Sequence, residues 1–110
     1  MPDSEVMELY LRALGAFGTS HQTRRFIEEC GEAITALMKL NDARDNREHV
    51  AEEIIGVLIT ARQMELALVR LVGTERMNRI WEDQLWKLAQ AVAIKEAEAG
   101  SAVRKAPPKP

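Results

Sequence analysis

An all-α fold is predicted by the residue mixture, by the spacing of the apolar side chains, and by where the helix breakers fall. The chain has 110 residues, 46% of them hydrophobic but only 5% aromatic. Ala, Leu, Glu, Arg and Met, which favour helix, are plentiful. Apolar residues recur three and four positions apart through long stretches, and glycine or turn-forming clusters separate those stretches. The length fits one small domain with a core of its own.

The elements follow in order. Val6, Leu9, Tyr10, Ala13, Leu14 and Phe17 share one face of a first helix beginning near Ser4. Gly15 and Gly18 loosen it. Thr19 with Gln22 reads as a capping box, so a second helix starts near Ser20 and carries Ile27, Cys30, Ile34, Leu37 and Met38 on one stripe. The turn-forming run Asn41 to Asn46 reads as a short loop, and Asp45 with Glu48 as the next capping box.

From there to Val72 only Gly56 interrupts, at a cost of about 1 kcal/mol relative to alanine. This third and longest helix has Val50, Val57, Ala61, Met64 and Leu68 on one side and Ile55, Ile59 and Leu66 roughly opposite, the signature of a central helix. After Gly73-Thr74, Met77, Trp81, Leu85, Leu88 and Val92 mark a fourth amphipathic helix to about Ala97. Residues 1–97 are thus read as the helical domain. Residues 98–110, with Gly100-Ser101 and the closing Ala106-Pro107-Pro108-Lys109-Pro110, are read as a flexible tail.

Composition also excludes partners. The formal charge is -2, from 15 basic and 17 acidic residues, which leaves no basic field for a nucleic-acid polymer. Cys30 is the only cysteine, so neither an intrachain disulfide nor a thiolate zinc site is available. No apolar run approaches the roughly 20 residues of a membrane span, and the N-terminus lacks a signal peptide's positive charge. A cytoplasmic location is the expectation. The two-sided third helix and a fourth carrying Trp81 and Trp86 offer more apolar surface than so small a bundle hides, so a homodimer is expected.

The carboxylates carry the chemistry. Glu29 and Glu32, three apart, share a face of the second helix, with Glu28 beside them. By itself this is also the pattern of a solvated acidic face. Glu52 and Glu53, however, precede the uncharged run Ile54 to Ala61, and Glu53 falls at the margin of the apolar stripe beside Val57 and Thr60. An unpaired carboxylate there costs several kcal/mol or takes up a proton. Antiparallel packing of the second and third helices brings Glu29, Glu32 and Glu53 together, a hard-oxygen set suited to Mg²⁺ or Mn²⁺ and, through it, to phosphate.

Glu28-Glu29-Cys30-Gly31-Glu32 and, twenty residues after Glu32, Glu52-Glu53-Ile54-Ile55-Gly56-Val57-Leu58 resemble the paired acidic motifs of the MazG-like, all-α nucleoside triphosphate pyrophosphohydrolases. Phe17-Gly18 before His21-Gln22, Lys39, Gln63 and Leu85-Trp86-Lys87-Leu88 extend the likeness over most of residues 5–95. The resemblance implies a MazG-like four-helix bundle subunit, assembled as a homodimer or a dimer of dimers. It also implies Mg²⁺-dependent hydrolysis of a nucleoside triphosphate to a nucleoside monophosphate and pyrophosphate.

Carried over residue by residue, it makes Glu29, Glu32 and Glu53 the metal ligands and catalytic carboxylates, with Glu28 and Glu52 as outer-sphere or second-metal candidates. Lys39, His21 and Gln22 are the candidates for nucleotide contact. Lys39 equally suits a helix C-terminus, and His21 an exposed first turn. Cys30 is read as buried, and Trp81 and Trp86 as core or interface. One position departs from the pattern: Gly56 stands where the family has an aspartate ligand. Water would then replace that ligand, or Glu52 would swing in, or the chain would be a nucleotide-binding or interaction protein that hydrolyses poorly.

Overall fold

A computed structural model describes residues 1–40, 44–100 and 108, residues 44 and 45 by backbone alone. Among these residues the chain is all-helical, with α1 (Asp3–Phe17), α2 (Thr19–Met38), α3 (Arg44–Val72) and α4 (Thr74–Glu98), and without strands. None of these helices is long and apolar enough to cross a membrane. The chain forms two compact units, Met1–Leu71 and Val72–Pro110.

In the first unit α2 and α3 run antiparallel. Gln22 meets Gln63 near one end of the pair, and Thr23 donates to Met64 Sδ beside it, while Glu29 and Glu32 reach Gly56 and Glu53 farther along. α1 lies along the C-terminal half of α3 in the same direction, with Val6 and Tyr10 near Leu66 and with Leu11 and Leu14 near Ala67 and Leu71.

The inward face of α2 differs from the one its large apolar residues mark. Gln22, Ala33 and Ala36 are buried, with Phe26 and Glu29 half-buried on the same stripe. Ile27, Ile34, Leu37 and Met38 lie roughly 120° around the helix and stay exposed, Met38 by 83%. Cys30 beside them is half-buried. On α3 the inward face is Val50, Glu53, Gly56, Val57, Thr60 and Gln63, whereas Ile55, Leu58 and Ile59 are exposed. The α2–α3 seam therefore combines small and polar side chains with Phe26, Val50 and Val57. Thr60 satisfies its hydroxyl within its own helix, on the carbonyls of Gly56 (2.9 Å) and Val57 (3.2 Å).

Two glycines make the turns. Gly18 (φ 88°, ψ 153°) separates α1 from α2, and Gly73 (φ 91°, ψ 149°) separates α3 from α4. Both conformations belong almost exclusively to glycine. At Gly18 a single residue thus connects α1 to the antiparallel α2. Gly18 also replaces the expected Thr19–Gln22 capping box: it is the N-cap, and Gln22 donates its backbone N–H to the Gly18 carbonyl at 3.1 Å. The Gln22 side chain is turned instead into the seam, where its Nε2 donates to Gln63 Oε1.

Helix α3 begins at Arg44, so residues 44–46 are helical where a loop is expected from sequence; residues 41–43 and the Asp45 side chain of the second capping box lie outside the described residues. In the second unit α4 carries Glu75 in its first turn and Lys95 in its last, each complementing the helix dipole. Trp81, Leu85, Leu88 and Val92 of its apolar stripe are exposed, and Met77 and Trp86 are half-buried. The helix ends at Glu98, and most of the expected tail lies outside the described residues.

Gly18→Ala forces a side chain into a glycine conformation and should lower unfolding free energy by about 1–3 kcal/mol. Gly15 sits inside α1 with no atom near its missing side chain, so Gly15→Ala should raise it by about 0.5–1 kcal/mol. Urea denaturation of the two variants beside the parent checks both signs.

Candidate metal centre

Helical spacing places Glu29 on the seam face of α2 and Glu32 one turn farther at its edge; Glu53 faces them from α3. Each offers a carboxylate oxygen, and the three oxygens lie within 4.8 Å of one another. The Glu29 and Glu53 side chains are only 13% and 17% exposed, whereas Glu32 is exposed. With water largely withdrawn, two such charges repel by about 3 kcal/mol at an effective dielectric constant near 20.

The surroundings answer that repulsion in part. Arg25 Nη2 donates to Glu29 Oε1 at 2.8 Å, and its Nη1 reaches Glu28 Oε2 at 3.3 Å, so one guanidinium spans two carboxylates one helical turn away. His49 Nε2 lies 3.8 Å from Glu53 Oε1. The donor set also fits a hard divalent cation. Ligand oxygens around Mg²⁺ stand about 3–4 Å apart, a spacing that the long Glu side chains reach by small rotations. The exposed edge at Glu32 leaves room for water or a ligand oxygen.

Glu32 and Glu53 form part of the wall of a cavity of about 670 Å³, within the range of small-molecule pockets. Lys39, Thr35, Asn46, His49 and Glu28 line it as well. One open cavity is thus lined by glutamates, a lysine and residues with neutral hydrogen-bonding side chains. Lys39 is the C-cap of α2, with its N–H on the Thr35 and Ala36 carbonyls, so it both closes the helix and reaches the cavity wall.

Not every sequence candidate arrives here. Glu52 is exposed and belongs neither to the carboxylate triad nor to the cavity wall. It is Glu29, not Glu52, that lies against Gly56: a side chain built there would collide with the Glu29 carboxylate, whose Cδ would stand 3.2 Å from the new Cβ.

His21 and Gln22 also lie outside the cavity lining. The His21 ring stacks on Phe17, centroids 5.2 Å apart, and its Nδ1 lies 2.8 Å from Gln22 Oε1. Gln22 Nε2 donates to Gln63 Oε1 at 2.6 Å, and Gln63 Nε2 to the Ile59 carbonyl at 3.4 Å. With the His21 proton on Nδ1, every donor in this chain points the same way, from the ring to a backbone carbonyl.

Sequence reasoning missed Asn46 and His49 as cavity residues and Arg25 as a partner of the triad. A signal existed: Asn46, His49 and Glu53 are spaced three and four apart on one face of α3, as Arg25 and Glu29 are on α2. No family model, curated protein or solved structure matches the chain.

Gln22→Leu or Gln63→Leu alone strands the remaining buried amide and should cost about 1–3 kcal/mol of stability. The double replacement should cost less than the two single losses combined, which a urea double-mutant cycle measures.

Proposed function

We propose that this chain is a MazG-like, Mg²⁺-dependent nucleoside triphosphate pyrophosphohydrolase. The observation that carries the reading is the convergence of Glu29, Glu32 and Glu53, the last two on the wall of a cavity that Lys39 also lines. Carboxylates serve a divalent cation, and an ammonium group beside them serves the phosphates that such a cation binds.

In this reading Glu29, Glu32 and Glu53 hold the ion and Lys39 contacts the phosphate chain. A bound Mg²⁺, or Mn²⁺ in its place, supplies charge neutralisation at the phosphate oxygens and Lewis acidity. In the same reading Glu28, which lines the cavity and pairs with exposed Arg25 at 3.3 Å, takes a proton from the attacking water. Water oxygen joins the α-phosphorus, the bond from that phosphorus to the bridging oxygen breaks, and pyrophosphate leaves with the electron pair. His21 and Gln22 act at one remove, by fixing the far end of the seam.

A second reading rests on Gly56. With no fourth carboxylate at this position, the chain binds nucleotide and metal but hydrolyses poorly. We also propose self-association, as a homodimer or a dimer of dimers, because Ile27, Ile34 and Met38 on α2 and Ile55, Leu58 and Ile59 on α3 are exposed.

Pyrophosphate release from a panel of nucleoside triphosphates with Mg²⁺ or Mn²⁺ tests the activity. Turnover by the parent chain, reduced by about 100-fold or more in Glu53→Gln, is the expected outcome. Saturable nucleotide binding without pyrophosphate release would favour the second reading, and absence of both would sink the proposal. Leu58→Glu should weaken self-association in sedimentation equilibrium; an unchanged mass for a parent chain that is already monomeric would refute it.

A further inference from the structure

His49 puts an imidazole on the cavity wall, and neither burial nor a hydrogen bond to Glu53 accounts for its place. Its side chain is 59% exposed, yet it lines the cavity together with Glu32 and Glu53. Its Nε2 stands 3.8 Å from Glu53 Oε1. A hydrogen bond would draw those two atoms to about 3 Å. The separation is instead that of neighbouring ligand atoms around one octahedral ion.

Spacing along α3 points the same way. His49 and Glu53 are four residues apart, so both side chains leave one face of the helix, the arrangement by which a helix gives two donors to a single metal. Position 56, about one turn beyond Glu53, is a glycine and offers no side-chain donor; position 49, about one turn before it, offers a nitrogen. His21, the other histidine of the chain, is not part of the cavity lining.

We infer that His49 Nε2 is a further ligand, joining Glu29, Glu32 and Glu53 on one divalent ion, and that this nitrogen turns the site's preference from Mg²⁺ toward a first-row transition ion. The inference rests on the cation reading proposed above, whose three carboxylates it keeps. Mg²⁺ is a hard ion that selects oxygen, whereas sites with a nitrogen donor bind Co²⁺ more tightly than Mn²⁺ and suit transition ions in general. The three carboxylate oxygens already lie within 4.8 Å of one another, and the exposed His49 ring can turn toward them without disturbing the buried seam.

Two measurements on the full chain test this, and neither reads activity. Electron spin-echo envelope modulation of the Mn²⁺-loaded parent should show deep nitrogen modulation from a bound imidazole, retained in His21→Gln and lost in His49→Gln. Calorimetric titration with Co²⁺ and with Mg²⁺ gives the second readout. His49→Gln should weaken Co²⁺ binding by about tenfold or more and Mg²⁺ binding by less than about twofold.

Bound Mn²⁺ without nitrogen modulation, modulation lost with His21 rather than with His49, or equal loss of affinity for the two titrated ions would overturn the ligand role and leave the carboxylate site standing. A parent chain that binds none of the three ions would refute the cation reading, and His49 ligation with it.

Discussion

The close antiparallel approach of α2 and α3 is the constraint on which the rest of the first unit depends. Ala33 and Ala36 are the buried apolar residues of α2, and on α3 Gly56 leaves room for the Glu29 side chain beside buried Thr60. Antiparallel pairing is what brings two carboxylates of α2 to one carboxylate of α3. A seam of leucines would give a stronger hydrophobic contact and no site. The glutamines at one end of the seam and the glutamates farther along both follow from building this contact with small and polar residues.

Such a seam contributes little through apolar burial, and the exposed stripes are its counterpart. Only Leu14, Ala33, Ala36 and Val50 are buried hydrophobic residues among those described, whereas large aliphatic side chains on α2, α3 and α4 face outward. The specificity of the α2–α3 register is carried instead by directional bonds. Gln22 to Gln63 fixes one end, and a slip of either helix would strand both amides in a buried position. Stability and register thus come from different residues.

The all-α class and the main breaks were legible in the sequence because they depend on local physics: helix-favouring composition, and glycines at 18 and 73. The convergence of Glu29, Glu32 and Glu53 was also legible, since antiparallel helices joined by a short connection leave few alternatives. The inward face of α2 was not. Hydrophobic periodicity gives weight to Ile27, Ile34 and Met38, but which stripe packs is decided by fit to α3, and alanines fit. The Thr19–Gln22 pairing failed for a similar reason: a capping motif competes with tertiary partners, and Gln63 won the side chain. Nor does spacing within one helix reveal that Glu29 rests on Gly56, a contact made across helices.

The turn at Gly18 has a bearing on how this chain tolerates change in length. A connection of one residue has no slack, and every added or deleted residue within a helix rotates all that follows it by about 100°. An insertion in α2 ahead of Glu29 would swing the carboxylates out of the seam while Gly18 still clamped the start of the helix to α1. The span from Gly18 to Lys39 therefore behaves as a ruler whose graduations cannot be moved.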